Sequence, residues 1–123
     1  MTGHVLLVED DDAVLDVVGR QLQANGLTIR TAGSATEALR AIDNDAYSAL
    51  IIDRLVASAG LRVSQAFRRR WPHSPIILVT GYTTPHLDME ARAHGVDLVL
   101  LKPIHMPQLL AALERLNTAH HAV

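Results

Sequence analysis

No cysteine occurs among the 123 residues of the chain. A disulfide framework and a thiolate metal site are therefore excluded, and stability requires no oxidising compartment. Neither sign of charge is in marked excess: 11 Lys and Arg stand against 13 Asp and Glu, for a formal charge of −2. That balance gives no electrostatic reason to expect nucleic acid as a partner of this chain alone. Long apolar runs are missing as well. The longest are strand-length, far below the roughly 20 residues that span a bilayer, so no membrane partner is expected. No signal peptide with a charged and an apolar region precedes the first apolar run, and a cytoplasmic protein is the expectation. What is present is enough apolar side chain, 49% of the residues, to bury one compact core. The reading is one domain over 1–118 and a short tail over 119–123.

The organising stretch is 49-ALIID-53, which can be buried on both faces and ends on a single carboxylate. Such an acid is either a cap for the next helix or part of a site. The first apolar run, 4-HVLLV-8, also ends on acids, Glu9, Asp10 and Asp11. Val14, Leu15, Val18 and Leu22 then recur at helical spacing, with Asp11 or Asp12 as cap and Asn25-Gly26 as the stop. Leu27 to Thr31 is a second strand. Ser34 and Glu37 form a capping-box pair ahead of Ala35, Ala38, Leu39 and Ile42, a second amphipathic helix. A third helix runs from about Ala59 to Arg70 and closes at Trp71-Pro72. Its 68-RRR-70 end is expected to be solvated, since cations suit a last helical turn. The run 75-PIILV-79 is a fourth strand, ending on Thr80-Gly81. Thr84-Pro85 opens a helix that Gly95 ends, and its weak amphipathy predicts a loosely held element. Val96 to Leu101 is a fifth strand, followed by Lys102-Pro103 and a last helix carrying Met106, Leu109, Leu110 and Leu113.

Five strands alternating with five helices predict an α/β fold, a parallel sheet covered on both faces. The two doubly wound orders to weigh place any ligand at the carboxyl ends of the strands. In the flavodoxin-like order 2-1-3-4-5 the switch point lies between strands 1 and 3. Glu9 and Asp10, Asp53, Thr80 and Lys102 stand at four such ends. Each alone reads as a cap, a turn residue or a surface cation; their joint placement reads as a site. Carboxylates gathered in a cleft repel one another unless a cation intervenes, and an oxygen-only set suits Mg²⁺. The chemistry such a set supports is phosphoryl transfer to a carboxylate, with Asp53 as the nucleophile.

These residues resemble the receiver domains of two-component response regulators, through 5-VLLVEDD-11, 50-LIID-53, 76-IILVTG-81 and 101-LKP-103 in order and spacing. The resemblance covers nearly the whole chain. It implies that Glu9, Asp10, Asp53 and the backbone carbonyl of Leu55 hold Mg²⁺. It further implies that Asp53 accepts phosphate from a sensor histidine kinase or phosphotransfer protein, that Thr80 senses it and that Lys102 pairs with it. A cis Lys102-Pro103 peptide belongs to the same pattern. Output would pass through the face of helix 4, strand 5 and helix 5 to a downstream protein, an effector domain of the same protein, or a second copy in a homodimer. The phrase 75-PIILVTGY-82 is similar to receivers attached to hybrid sensor kinases.

The chain departs from the pattern in two places. Ala57 and Gly60 suggest a loop about one residue shorter after Asp53, and Val99 stands where an aromatic is usual, so an aromatic rotamer switch is absent. Leu55 and Tyr82 flank the phosphate position and are expected to screen it from water. The alternative is a pseudo-receiver, the same fold used as a phosphorylation-independent binding module. An aspartate-based phosphatase is disfavoured because it needs a second carboxylate where Leu55 stands. The chain is expected to catalyse at most its own phosphorylation and slow autodephosphorylation, and not to be a metabolic enzyme.

Overall fold

A computed structural model describes residues 3–53, 57–81 and 84–121. The strands are β1 (His4–Glu9), β2 (Thr28–Ala32), β3 (Ala49–Asp53), β4 (Ile76–Thr80) and β5 (Leu98–Leu101). They alternate with helices α1 (Asp12–Ala24), α2 (Ala35–Ala41), α3 (Ala57–Arg70), α4 (Pro85–Ala93) and α5 (Met106–His121). All pair in parallel, in the order β2-β1-β3-β4-β5. This is the flavodoxin-like order, with the switch point between β1 and β3.

Strand alternation divides the core into two layers. Leu6, Val8, Leu50, Ile52, Ile76 and Leu78 face Ala38 and Ala41 of α2, Leu61, Val63 and Phe67 of α3, and Ala91 of α4. Val5, Leu7, Ala49, Ile51, Ile77 and Val79 face Val18 and Leu22 of α1 and Leu109 and Leu113 of α5. The central strand β3 is buried along its whole length. Its near-continuous apolar sequence is what a parallel strand covered on both sides requires.

Local signals set the helix ends. Asp11 is the cap of α1, its carboxylate accepting from the amides of Ala13 and Val14 at 3.0 and 3.2 Å. Ser34 Oγ accepts from the Glu37 amide at 3.1 Å, but Glu37 reaches back to the Gly33 amide, one residue before the cap, at 2.7 Å. Thr84 caps α4, with Pro85 opening its first turn, and Gly95 leaves it at φ +93°. Helix α5 runs on to His121 and takes in part of the stretch read as a tail from 119. No glycine or proline follows Pro107 to stop it.

The expectation of a solvated end at 68-RRR-70 holds for Arg69 and Arg70, which are exposed, and is corrected for Arg68. Arg68 is half-buried and cross-braces the fold: Nη1 donates to the carbonyls of Pro72 and Ser74 at 3.0 and 2.9 Å, and Nη2 to Gly95 O and Asp97 Oδ2. Four bonds to fixed acceptors outweigh the hydration of a guanidinium that carries five donors in one plane. Arg70 instead lies over the Trp71 ring, 4.0 Å from its centroid, and pairs with Asp43.

Candidate functional site

The register of the sheet builds the site. Glu9 and Asp53 are the last residues of β1 and β3 and lie opposite one another, and Thr80 ends β4 opposite Leu101 of β5. By alternation, Glu9 is in phase with Val5 and Leu7, and Asp53 with Ala49 and Ile51, so both belong to the α1/α5 side of the sheet. Thr80 is in phase with Ile76 and Leu78, on the α2–α4 side. The two acids are fully buried, at 0% exposure each.

Lys102 reaches Asp53 from the far side. Its Nζ lies 2.7 Å from Asp53 Oδ1, an ion pair. The backbone holds the lysine in place through its amide, which donates to the Thr80 carbonyl at 2.7 Å; the Lys102-Pro103 peptide is cis. Thr80 and Lys102 are thereby tied to each other across the β4/β5 edge.

Glu9 is fixed by the turn that follows it. Its Oε1 accepts from the Asp11 amide at 2.9 Å, and the same Asp11 caps α1 with its carboxylate. The sequence offered Asp11 or Asp12 as the cap; that the Asp11 amide also orients Glu9 depends on the turn geometry, which no side-chain pattern carries. Burial pushes the Glu9 carboxyl up from 4.5 to about 7, with the neighbouring Asp10 and Asp53 carboxyls adding to the rise and the Asp11 amide opposing it.

Glu9 Oε2 and Asp53 Oδ2 are buried without a hydrogen-bond partner. Buried carboxylate oxygens with unspent acceptor capacity are hard donors, and their chemistry fits a hard divalent cation such as Mg²⁺. Of the residues predicted from sequence, the structure brings together Glu9, Asp53 and Lys102, with Thr80 on the adjoining strand end. Asp10 is exposed at the rim. Among the described residues no three His, Cys, Asp or Glu side chains gather into a group able to hold a metal. Leu55 and Tyr82 lie outside the described residues, as do residues 54–56 of the stretch 54–60 read as a loop about one residue shorter; its remainder, Ala57 to Gly60, opens α3.

The sequence matches the family described as "Response regulator receiver domain" over residues 5–114. It is 32% identical over 117 residues to the response regulator MprA of Mycobacterium ulcerans, covering 94% of this chain and 50% of that protein. Among solved structures, the Vibrio cholerae chemotaxis protein CheY4 superposes with a TM-score of 0.85 at 28% identity, over 94% of this chain and 99% of that one. A Burkholderia pseudomallei response regulator, solved with a phosphorylated aspartic acid, calcium ion and citrate, gives 0.84 at 25% identity, over 97% of this chain and 71% of that one. The chain spans about a quarter to a half of the curated relatives it matches.

Proposed function

As the chain belongs to the response regulator receiver domain family of two-component signalling, we propose that it is a phosphoacceptor whose Asp53 takes a phosphoryl group from a sensor histidine kinase or a phosphotransfer protein. The observation that carries this reading is the wholly buried Asp53 carboxylate, held by Lys102 at 2.7 Å and facing Glu9 across the β1/β3 register.

The ammonium of Lys102 lies beside Asp53 Oδ1, and the Asp53 carboxylate is the nucleophile. In the transfer the phosphorus–nitrogen bond of a phosphohistidine breaks, a phosphorus–oxygen bond forms at the Asp53 carboxylate, and the imidazole departs with its electron pair and takes up a proton. Lys102 and the Thr80 hydroxyl meet the negative charge on the phosphoryl oxygens. Glu9, Asp10, Asp53 and the carbonyl of Leu55 are the residues that would hold Mg²⁺. When bound, the ion neutralises charge shared by the acids and the incoming phosphoryl group. The sequence reading that Leu55 and Tyr82 screen the acyl phosphate from water is part of the same proposal. The B. pseudomallei neighbour, with its phosphorylated aspartate and calcium ion, supports the assignment by likeness.

The added charge on Asp53, about −1.5 to −2, reorganises the loop at Thr80 and the face formed by α4, β5 and α5. Met89 and Leu101 are exposed there, at 71% and 55%. A downstream protein, an effector domain or a second copy is the partner proposed for it, in the cytoplasm. No described helix is long and apolar enough to cross a membrane.

The test is intact mass after incubation with Mg²⁺ and acetyl phosphate. A gain of about 80 Da, absent in Asp53→Asn, is the expected result. No gain by folded protein would leave the pseudo-receiver, a binding module independent of phosphorylation, as the function.

A further inference from the structure

The bonds of Asp11 tie helix α1 to the buried acid that ends β1. Its Oδ1 accepts from the amides of Ala13 and Val14 at 3.0 and 3.2 Å, and its carbonyl accepts from the Leu15 amide at 2.9 Å. The residue is extended, with φ −97° and ψ 112°, as a helix cap requires. Its amide does not join the helix. It donates to Glu9 Oε1 at 2.9 Å.

These bonds depend on one another through a single carbon. Two heavy-atom branches of Asp11 Cα, the side chain and the carbonyl, are held by the first turn of α1. Tetrahedral geometry then leaves the third branch, the amide nitrogen, one place to stand. Helix α1 is itself fixed, since Val18 and Leu22 are buried in the layer that contains Leu7 and Ile51. Support therefore runs from the core through α1 and its cap to the Asp11 amide, and from there to Glu9 Oε1.

A glutamate needs such support more than an aspartate would. Its carboxylate stands on a stem one methylene longer, with one more rotatable bond to fix. With Oε1 occupied by the amide, Oε2 is the oxygen without a hydrogen-bond partner, on a side chain with no exposed surface opposite Asp53.

We infer that Asp11 is a positioning residue: by capping α1 it aims its own amide at Glu9 Oε1 and so presents Oε2 to a divalent cation. This rests on the phosphoacceptor reading for the use made of the cation, not for the orientation of Glu9. An ordinary cap contributes stability alone. Ser34 is the internal comparison, since there the reciprocal bond, from the Gly33 amide to Glu37 Oε2, stays within the cap of α2.

The experiment compares the wild-type chain with Asp11→Asn, Asp11→Gly and Ser34→Ala. Asn keeps the side-chain acceptor and removes the charge; Gly removes both, yet as a cap it costs little stability. Mg²⁺ is titrated into each protein and followed by amide NMR shifts. Asp11→Asn reports the lost charge alone and should bind within about fivefold of wild type. Asp11→Gly, with the same net charge as Asp11→Asn, should bind about tenfold more weakly than it, the scale for removing a group that orients a metal ligand. Ser34→Ala should melt at a lower temperature with Mg²⁺ affinity unchanged. In EDTA, hydrogen exchange at the residue-11 amide, relative to its intrinsic rate, should be about fivefold faster in Asp11→Gly than in Asp11→Asn. In the wild type that amide should stay protected when Mg²⁺ saturates the site, a readout that needs no variant.

Equal Mg²⁺ affinities of Asp11→Asn and Asp11→Gly would overturn the positioning role, and so would an equal loss in Ser34→Ala. Faster exchange of the wild-type Asp11 amide on Mg²⁺ saturation, or no Mg²⁺ binding by the folded wild type, would do the same. Absence of phosphoryl uptake in the mass experiment, with the difference between Asp11→Asn and Asp11→Gly intact, would overturn the phosphoacceptor reading and keep Asp11 in its role.

Discussion

Glu9 and Asp53 stand opposite each other at the ends of adjacent parallel strands, both with no exposed surface. Lys102 answers one of these charges and the proton on Glu9 answers part of the other.

The first prediction follows from that proton. The folded chain holds the Glu9 carboxyl at about 7 against an ordinary 4.5, so it binds the proton more tightly than the unfolded chain does. Its contribution to stability is therefore fully present below about pH 4.5 and lost as pH rises through about 7. In EDTA, the melting temperature of the wild type should fall relative to Glu9→Gln across that window and run parallel to it above. A constant difference between the two at all pH values would remove Glu9 as the titrating group. Mg²⁺, competing with the same proton, should raise the melting temperature more at pH 8 than at pH 5.5.

Lys102 provides the second. Replacing it by Met leaves Asp53 buried without its counter-ion, which costs about 3 kcal/mol at the lower end for a broken buried pair, because Lys102 itself is partly exposed. In Lys102→Met/Asp53→Asn the uncompensated charge is gone, and most of that loss should return. Urea unfolding of the four proteins at pH 7.5 measures the coupling. Strict additivity would mean that Lys102 is not the counter-ion in solution.

The acids, threonine and lysine of the site were legible because each ends an apolar run, and in a parallel sheet such ends converge on one edge. Strand polarity and number followed from the same runs, while the order 2-1-3-4-5 needed the resemblance as well as the pattern. The part that stayed hidden depends on distance along the chain. Arg68 read as a solvated helix end because its acceptors, Gly95 and Asp97, lie 27 and 29 residues away and become neighbours only once α3 and the α4–β5 turn pack on the sheet. The raised Glu9 pKa was likewise foreshadowed only as mutual repulsion among acids. Its largest cause is burial, and the sequence ended β1 at Val8, one residue before the buried acid.

The opposite end of the sheet makes a third prediction, one that separates stability from chemistry. Tyr47 lies between His4, stacked at 5.0 Å, Phe67 at 6.1 Å and the Trp71 edge at 6.3 Å, with its hydroxyl donating to Ala41 O. Phe67 has no exposed surface. Phe67→Ala should cost about 3–5 kcal/mol through the cavity it leaves. Below its melting temperature, however, the variant should still gain mass at Asp53, because the site stands at the other ends of the strands. Loss of phosphoryl uptake by folded Phe67→Ala would show that the two ends are coupled.

The last prediction concerns Val99, which replaces the aromatic expected at this place in β5. Val99 is partly buried and packs into the layer that contains Ala91, Val96 and Leu87. With two γ-methyls and one dominant χ1 well it fills a place but offers no bulky group to reorient. With no ring at 99, a response of α4 to beryllofluoride, a phosphoryl mimic, proceeds without an aromatic swing in β5. Val99→Ala should lower stability by about 1–3 kcal/mol and leave the beryllofluoride-induced exchange change at Leu87–Met89 intact. Val99→Tyr, which adds a ring where Val99 packs against this layer, should be destabilising by a similar amount through overpacking. A response abolished in Val99→Ala, in protein that still binds the mimic, would place the transmission in β5 and not in the helix.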